Sequence, residues 1–485
     1  MLEIWNHVPI YIILLHIITL MVVLFNERKR PVSTISWVFT LLFLPVLGVL
    51  LYIFLGTARY VNVKRKFGKK LLFDREYHKI IREQLEHVQQ QGPEFCGGQS
   101  TPYLDMITMH MKTSGSLYSE DNELTLLPSA QEKYERMFAD IRAAKKSVHV
   151  MYYIFRNDRT GNALIDLLTE KAKEGVEVRL IYDSFGNLKT PAKTFRQLRQ
   201  AGGQVIKFLP HPILNLLRVN YRNHRKIVVI DGEIGYLGGI NIGDEYLGLD
   251  KTKSPWRDTH LRIVGSSVAT LQLRFLLDWQ YLKDEKMDEK EVAEKYFSVR
   301  RGAGHSALQI VSSGPDSPAQ QIKYGFVKMI GSARKTLYLQ TPYLIPDDTI
   351  ADGLKIAVDS GVDVRVMIPG IPDKKFVYYA TLSYVEELLQ AGVRVYTYNG
   401  FLHSKMMTAD SSIATLGTTN MDVRGFQLAF EVNAFIYDPD FAQQCTEMFL
   451  NDLESCRELD LETFAKRPLL SKLKESIFRL LSPLM

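Results

Sequence analysis

At 485 residues, the chain is long enough for about two or three domains, and 46% hydrophobic with 24% charged residues describes a globular rather than a fibrous or mainly disordered protein. The net charge of +6 is concentrated at one end, because residues 1–70 contain nine basic and two acidic residues and leave the remainder near neutral. A near-neutral body argues against a nucleic-acid-binding protein, whereas basic residues beside apolar segments suit anionic lipid headgroups.

Two apolar segments open the chain. Residues 8–25 and 37–55 form uncharged stretches of 18 and 19 residues, close to the ~20 needed to cross a bilayer. We therefore expect residues 1–60 to form a transmembrane helical hairpin. Pro45 and Gly48 leave open a kinked or re-entrant second segment.

The basic residues around these segments bear on orientation. Positions 59–70 carry six basic residues, and the loop between the segments carries three, Arg28, Lys29 and Arg30. The positive-inside tendency favours a multi-pass protein of the bacterial plasma membrane with its body on the cytoplasmic side, although the loop opposes it. Residues 61–100 are predicted to be a basic, helical linker.

The body repeats its own pattern. Two halves, 101–295 and 305–485, place similar runs in the same order: 175–180 resembles 361–366, and 201–203 resembles 391–393. Short β-rich runs alternate with helix-length amphipathic stretches, which predicts an α/β sandwich in each half. A repeat of this length indicates duplication of a whole domain, with a cleft expected at the shared interface.

Both halves contain the same motif, HxKxxxxD followed after six residues by GxxN. Its recurrence in an independent repeat is a strong signal, and it nominates two sets of residues: His224, Lys226, Asp231, Gly238, Gly239 and Asn241 in the first half, and His403, Lys405, Asp410, Gly417, Thr418 and Asn420 in the second.

The residue types in this motif suit phosphoryl transfer. Imidazole serves as nucleophile and proton shuttle near neutral pH, while lysine and asparagine supply charge and donors for phosphoryl oxygens. Period-two geometry places each histidine and its lysine on one strand face. Asp231 and Asp410, at an odd offset, face away, so within the candidate catalytic set we expect these two to be structural. The glycines would allow a tight turn beside the phosphate.

With this duplicated motif the chain resembles the phospholipase D superfamily from residue 101 onward. The N-terminal segments and their Arg-Lys-Arg-Pro loop make it similar to the bacterial cardiolipin synthases of that superfamily. The resemblance implies two phospholipase D-type domains around a shared cleft. It also implies an acidic residue hydrogen-bonded to each catalytic imidazole, for which Asp258 and Glu431 are the candidates.

The same resemblance implies a two-step reaction. His224 would attack the phosphorus of one phosphatidylglycerol to form a phosphatidyl-histidine, while His403 works as acid and then base toward a second phosphatidylglycerol. Cardiolipin and glycerol would be the products. The near-symmetric sequence itself does not decide which histidine attacks. The chain shows no HExxH, Cys/His cluster or DxD-type site, so no metal and no cofactor are expected. The oligomeric state is left open.

Three other functions compete with this one. A hydrolytic phospholipase D would use water as acceptor and carry the same motifs. A nuclease of the same superfamily is disfavoured by the apolar N-terminal segments and the near-neutral body. A non-catalytic membrane scaffold is disfavoured because both motifs are intact.

Two further apolar stretches bear on lipid access. Residues 211–219, just before the first motif, form either a buried helix or an apolar rim that admits acyl chains. Residues 466–485 alternate basic and apolar residues, which predicts an amphipathic tail that lies at a membrane surface or packs on the body.

Overall fold

The structure, a computed structural model, describes residues 14–25, 31–55, 74–208, 221–250, 254–283, 288–297, 302–317, 319–480 and 482. These residues belong to two compact units, one formed by the N-terminal helices and the other by the body. The predicted apolar rim at 211–219 and the basic run at 59–70 lie outside the described residues.

The N-terminal unit consists of short helices. Residues 14–25 are helical, and helices Pro31–Phe43 and Pro45–Leu55 follow. The second predicted segment is therefore interrupted at Leu44, where Pro45 lacks the N–H that would continue the helix. No helix in the described ranges is both long and apolar enough to span a bilayer, so the predicted transmembrane hairpin is not confirmed.

The body alternates strands and helices. Among its described residues the strands are β1 Tyr118–Leu127, β2 Ser147–Tyr152, β3 Glu177–Asp183, β4 Gln204–Phe208, β5 Arg222–Asn223, β6 Ile227–Ile230, β7 Ile234–Gly238, β8 Trp256–Arg257, β9 His260–Val264, β10 Ser306–Ser313, β11 Thr336–Gln340, β12 Leu344–Ile345, β13 Asp363–Pro369, β14 Arg394–Tyr398, β15 Phe401–Leu402, β16 Met406–Ala409, β17 Ile413–Gly417, β18 Met421–Asp422, β19 Ala429–Ile436 and β20 Cys456–Glu458.

The helices of the body lie between and beside these strands. They span Asp74–Gln91, Leu104–Ser114, Ala130–Ala143, Arg159–Lys173, Arg196–Gln200, Val268–Lys283, Glu289–Tyr296, Gln321–Ser332, Asp348–Asp359, Lys375–Gln390, Val423–Gln427, Pro439–Leu453, Leu461–Ala465 and Leu469–Arg479. Short 3-10 turns occupy Gly92–Phe95, Thr101–Tyr103, Ala192–Phe195 and Asp244–Leu247.

One large sheet joins the two halves. The first half orders its strands β1-β9-β7-β6-β2-β3-β4, and the second half orders its own β10-β19-β17-β16-β11-β13-β14, with β20 added at the outer edge. Strands β1 and β10 pair antiparallel where the halves meet. Because the two orders match strand for strand, the structure confirms the predicted α/β fold and its duplication.

Each half has its own apolar core against the sheet. Helices Asp74–Gln91 and Leu104–Ser114 contribute Val88, Met106 and Met111 to the core of the second half, although both precede β1, the first strand of the first half, in sequence. Within the predicted linker, Asp74–Gln91 is helical, and Ile81, Val88 and Cys96 are buried. The domain limits 101–295 and 305–485 stay predictions.

Candidate active site

Two short parallel pairings cross from one half to the other. Strand β5, just before the first motif, pairs with the start of β19, and His224 N donates to Phe430 O at 2.9 Å. Strand β15, just before the second motif, pairs with β8, and His403 N donates to Arg257 O at 2.7 Å. Each motif is thereby anchored beside the acidic candidate of the opposite half.

The two imidazoles bind carboxylates across this boundary. Nδ1 of His224 lies 2.9 Å from Oε1 of Glu431, and Nδ1 of His403 lies 2.7 Å from Oδ2 of Asp258. His224 Nδ1 is also 3.1 Å from the carbonyl oxygen of Thr418, which can only accept, so the proton is on Nδ1. Because each Nδ1 faces a carboxylate, the lone pair of each ring is on Nε2.

The two carboxylates are supported differently. The Thr418 hydroxyl donates to Oε2 of Glu431 at 2.5 Å. The equivalent position in the first half is Gly239, where an added Cβ would lie 2.0 Å from Oδ1 of Asp258. The shorter aspartate thus fits only because this position has no side chain, while the longer glutamate leaves room for a threonine. The close approach of the Asp258 carboxylate therefore requires a glycine at position 239.

The motif lysines lie behind the histidines. Lys226 Nζ donates to the backbone oxygen of His224 at 2.7 Å, and Lys405 Nζ donates to that of His403. Both are buried, and burial lowers the pKa of Lys226 to about 7 and that of Lys405 to about 8. Burial thus favours the neutral amines, and in their protonated form the two lysines place positive charge near His224.

The motif aspartates do not contact the imidazoles, and each one stabilises a turn. Asp231 accepts from the backbone N–H groups of Lys145, Lys146 and Ser147 at 2.7–2.9 Å. Asp410 accepts from Arg334, Lys335 and Thr336 over the same distances. Both have positive φ, 55° and 52°. Through these hydrogen bonds the two carboxylates stabilise the backbone at the start of β2 and β11.

The remaining motif residues are buried beside the site. Asn241 accepts from Ile154 N and donates to the Tyr246 hydroxyl, both at 3.0 Å. Asn420 is also buried and, like Asn241, faces the cavity. Gly238 ends β7 against His260, and Gly417 ends β17, where an added Cβ would lie 2.4 Å from Oδ1 of Asn433.

Both histidines line one cavity of about 460 Å³. Tyr153 packs against His224 with ring centroids 4.9 Å apart, and Trp256 and Phe401 lie 5.6 and 5.8 Å from His403. Burial, together with the positive charge of the two lysines, holds the pKa of His224 well below its ordinary value. Burial lowers the pKa of His403 to about 4, so both rings are neutral in the empty site.

The cavity wall also contains residues that sequence reasoning missed. Arg222, Lys374 and Arg424 line it together with Tyr343. A signal existed for two of them: Arg222 lies two residues before His224, hence on its strand face, and Arg424 lies four residues after Asn420. In the described ranges no group of three His, Cys, Asp or Glu side chains is placed to hold a metal ion.

The chain is similar to known proteins over nearly its whole length. The family model described as "Cardiolipin synthase, PLD-like domain" matches residues 137–252 and 326–453, and "Phospholipase D-nuclease N-terminal" matches 14–56. The cardiolipin synthase of Listeria monocytogenes is 43% identical over 98% of both chains. The major cardiolipin synthase of Bacillus subtilis is 42% identical over 97% of this chain and 98% of its own.

A solved structure shares the fold. The phosphatidylserine synthase of Haemophilus influenzae covers 80% of this chain and 100% of its own, with a TM-score of 0.60 and 17% identity. At this identity the likeness concerns the architecture alone.

Proposed function

The chain belongs to the cardiolipin synthases of the phospholipase D superfamily, and we propose that it joins two phosphatidylglycerol molecules through a phosphatidyl-histidine intermediate. It is a phosphatidyltransferase. The observation that carries the proposal is the pair of imidazoles in one cavity, each with Nδ1 bound to a buried carboxylate of the other half. Cardiolipin and glycerol are the expected products.

In the first step, Nε2 of His224 attacks the phosphorus of one phosphatidylglycerol. A P–N bond forms as the P–O bond to the terminal glycerol breaks, and His403 gives its proton to the departing oxygen. His403 must be protonated for this step. The negative charge of a bound phosphodiester favours its imidazolium form and opposes the burial that lowers its pKa to about 4.

In the second step, neutral His403 takes the proton from a hydroxyl of another phosphatidylglycerol. That oxygen attacks phosphorus, the P–N bond breaks, and His224 returns to its neutral state with the proton still on Nδ1. Lys226 and Lys405 act throughout by stabilising negative charge on the phosphoryl oxygens from beneath the imidazoles. Asp231 and Asp410 take part in neither step.

A product assay tests this reaction. Purified protein incubated with phosphatidylglycerol alone should yield cardiolipin and glycerol in equal amounts. The hydrolytic alternative would give phosphatidic acid instead, and phosphatidic acid as the main product would overturn the proposal. The relatives at 42–43% identity carry the name synthase, which favours transfer over hydrolysis.

We also propose that the enzyme works at a membrane, with the N-terminal helices as its anchor and the body on the cytoplasmic face. Residues 14–25, 31–43 and 45–55 are strongly apolar, and most of their large apolar side chains are exposed within their own unit. The test is extraction of membranes with alkaline carbonate. An anchored chain stays in the pellet until detergent is added, and its release by carbonate would contradict an integral anchor.

A further inference from the structure

Three cationic side chains occupy one side of the catalytic cavity. They are Arg222 on β5, Lys374 before helix Lys375–Gln390, and Arg424 on helix Val423–Gln427. Arg222 stacks on the ring of Phe185 at 3.8 Å and donates to the Tyr153 hydroxyl at 3.1 Å. These contacts hold its guanidinium at the cavity wall.

The three cations are close enough to repel one another. Burial, followed by the charge of Arg222, lowers the pKa of Arg424, and burial is also the main cause that lowers the pKa of Lys374. Nη2 of Arg424 is buried and donates to no group in the described part of the chain. A buried guanidinium N–H without an acceptor is unfavourable, so this geometry anticipates an anion.

Two acids line the same region and are already engaged. Asp422 accepts from Gly425 N as the cap of its short helix, and Asp373 accepts from the Tyr343 hydroxyl at 3.1 Å. Three cations therefore face two carboxylates, each of which has a structural hydrogen bond. The net charge of these five side chains is therefore positive.

Arg222 and Arg424 have no cationic counterpart at the equivalent positions of the other half. The position four residues after Asn241, equivalent to Arg424, is Glu245, which pairs with Arg156 at 2.9 Å. The position two residues before His403, equivalent to Arg222, is Phe401, which packs against Trp256. The duplicated site therefore repeats its two histidines but does not repeat Arg222 and Arg424.

We propose that Arg222, Lys374 and Arg424 bind the phosphodiester of the acceptor lipid, and so select an acceptor that carries its own phosphate. This inference rests on the proposed function. In phosphatidylglycerol the attacking hydroxyl is one glycerol unit away from a phosphate, so an anion site beside the imidazoles places that hydroxyl near the phosphatidyl-histidine. Water and uncharged alcohols gain nothing from the basic cluster, which therefore favours lipid transfer over hydrolysis.

The test compares two reactions of the same intermediate. Full-length protein in mixed micelles is given phosphatidylglycerol and labelled glycerol; label entering phosphatidylglycerol reports exchange through the intermediate, and cardiolipin reports transfer to a lipid. In Arg424→Gln we expect cardiolipin formation to fall roughly 10- to 100-fold, as for loss of a charge-assisted hydrogen bond, with exchange within about threefold of wild type. Arg222→Gln should act in the same direction.

Controls separate the possible causes. Lys193→Gln removes an equal charge from an exposed position outside the cavity lining and should change neither reaction. Arg424→Lys should retain part of the cardiolipin activity. If both reactions fall equally in a folded Arg424→Gln, the acceptor site is refuted; should that variant not fold, Arg222→Gln decides by the same criterion. Cardiolipin formation without exchange in the wild type would refute the covalent intermediate instead.

Discussion

The two catalytic imidazoles have different surroundings although their motifs are nearly identical. Burial lowers the pKa of both rings. At His403 the charge and hydrogen bond of Asp258 oppose this lowering, whereas at His224 the charge of Arg424 adds to it. This difference in charged neighbours supports His224 as nucleophile and His403 as acid and base.

A substrate with a good leaving group tests that assignment. Phosphatidyl p-nitrophenol releases nitrophenolate without needing a proton. We expect His403→Asn to give one rapid release of nitrophenolate per enzyme, followed by slow turnover, because attack by His224 survives while activation of the acceptor is lost. His224→Asn should give no burst, with a rate roughly 100- to 10,000-fold below wild type. Stopped-flow absorbance measures both.

His305→Asn provides the control for this experiment, since His305 is exposed and does not line the cavity. It should behave as wild type. A burst in His224→Asn, with none in His403→Asn, would reverse the two roles.

The repeated motif predicted these histidines and lysines, because repetition distinguishes them from ordinary polar residues, whereas Asp258 and Glu431 were candidates through the family resemblance. The same criterion could not find Arg424, because its counterpart in the first half is Glu245. Lys374 precedes a helix whose sequence shows no motif. A search for what the halves share finds only residues that occur in both of them. It therefore does not find residues that distinguish one half of the site from the other.

At the scale of elements, helix Leu469–Arg479 packs on the body along one face, and its exposed face leaves the membrane alternative as a prediction. One face packs on helix Lys375–Gln390, where Phe478 stacks on Tyr379 with ring centroids 5.7 Å apart. The opposite face is exposed along a single apolar stripe formed by Leu469, Leu470, Leu473, Ile477 and, just beyond the helix, Leu480. Leu469 is 83% exposed and Leu480 80%.

We expect this stripe to insert into the lipid surface that holds the substrate. Helix Lys375–Gln390, on which it packs, begins beside Lys374 and carries Phe376 and Val377 into the cavity wall. The basic residues of the C-terminal helix are engaged elsewhere: Lys472 lies 3.6 Å from Glu386, and Arg479 lies 3.0 Å from Glu387. Apolar insertion rather than charge should therefore dominate, with weak dependence on salt.

Leu473→Asp tests the inserted face. Loss of a buried leucine contact corresponds to about 2 kcal/mol, so cardiolipin formation on vesicles should fall roughly 30-fold. Activity on a short-chain substrate that is soluble and monomeric should stay near wild type. Initial rates on the two substrates give the comparison.

Asn451→Asp adds the same charge at an exposed position of another helix and should leave both rates unchanged. Equal losses on vesicles and on the soluble substrate would show that Leu473 supports the fold rather than membrane docking.

At the scale of the whole molecule, the sequence predicted the duplication but did not predict the strand pairings that connect the two halves. The repeated runs predicted two domains and a shared cleft, because matching elements recur in matching order. Pairing of β5 with β19 and of β15 with β8 depends on how the finished halves dock along β1 and β10. No local pattern encodes that contact, so the sequence nominated Asp258 and Glu431 without showing which histidine each one binds.

The crossed pairing makes a prediction about variants that are far apart in sequence. Asp258→Asn should resemble His403→Asn and give a burst of nitrophenolate with slow turnover, since a neutral amide no longer stabilises the imidazolium form of His403. Glu431→Gln should resemble His224→Asn, because a neutral amide no longer stabilises the positive charge that the His224 imidazole gains when it bonds to phosphorus. Its burst rate should fall roughly 100- to 10,000-fold.

An exposed acid supplies the control for the crossed pairs. Asp359→Asn makes the same chemical change at a helix end outside the cavity lining and should react as wild type. Thermal unfolding of each variant shows whether a buried carboxylate was also needed for stability. If Asp258→Asn abolished the burst while Glu431→Gln kept it, the carboxylates would serve the histidines of their own halves. In that case the histidine and the carboxylate of each half would form a pair. The two strand pairings between the halves would then have no part in bringing carboxylates to imidazoles.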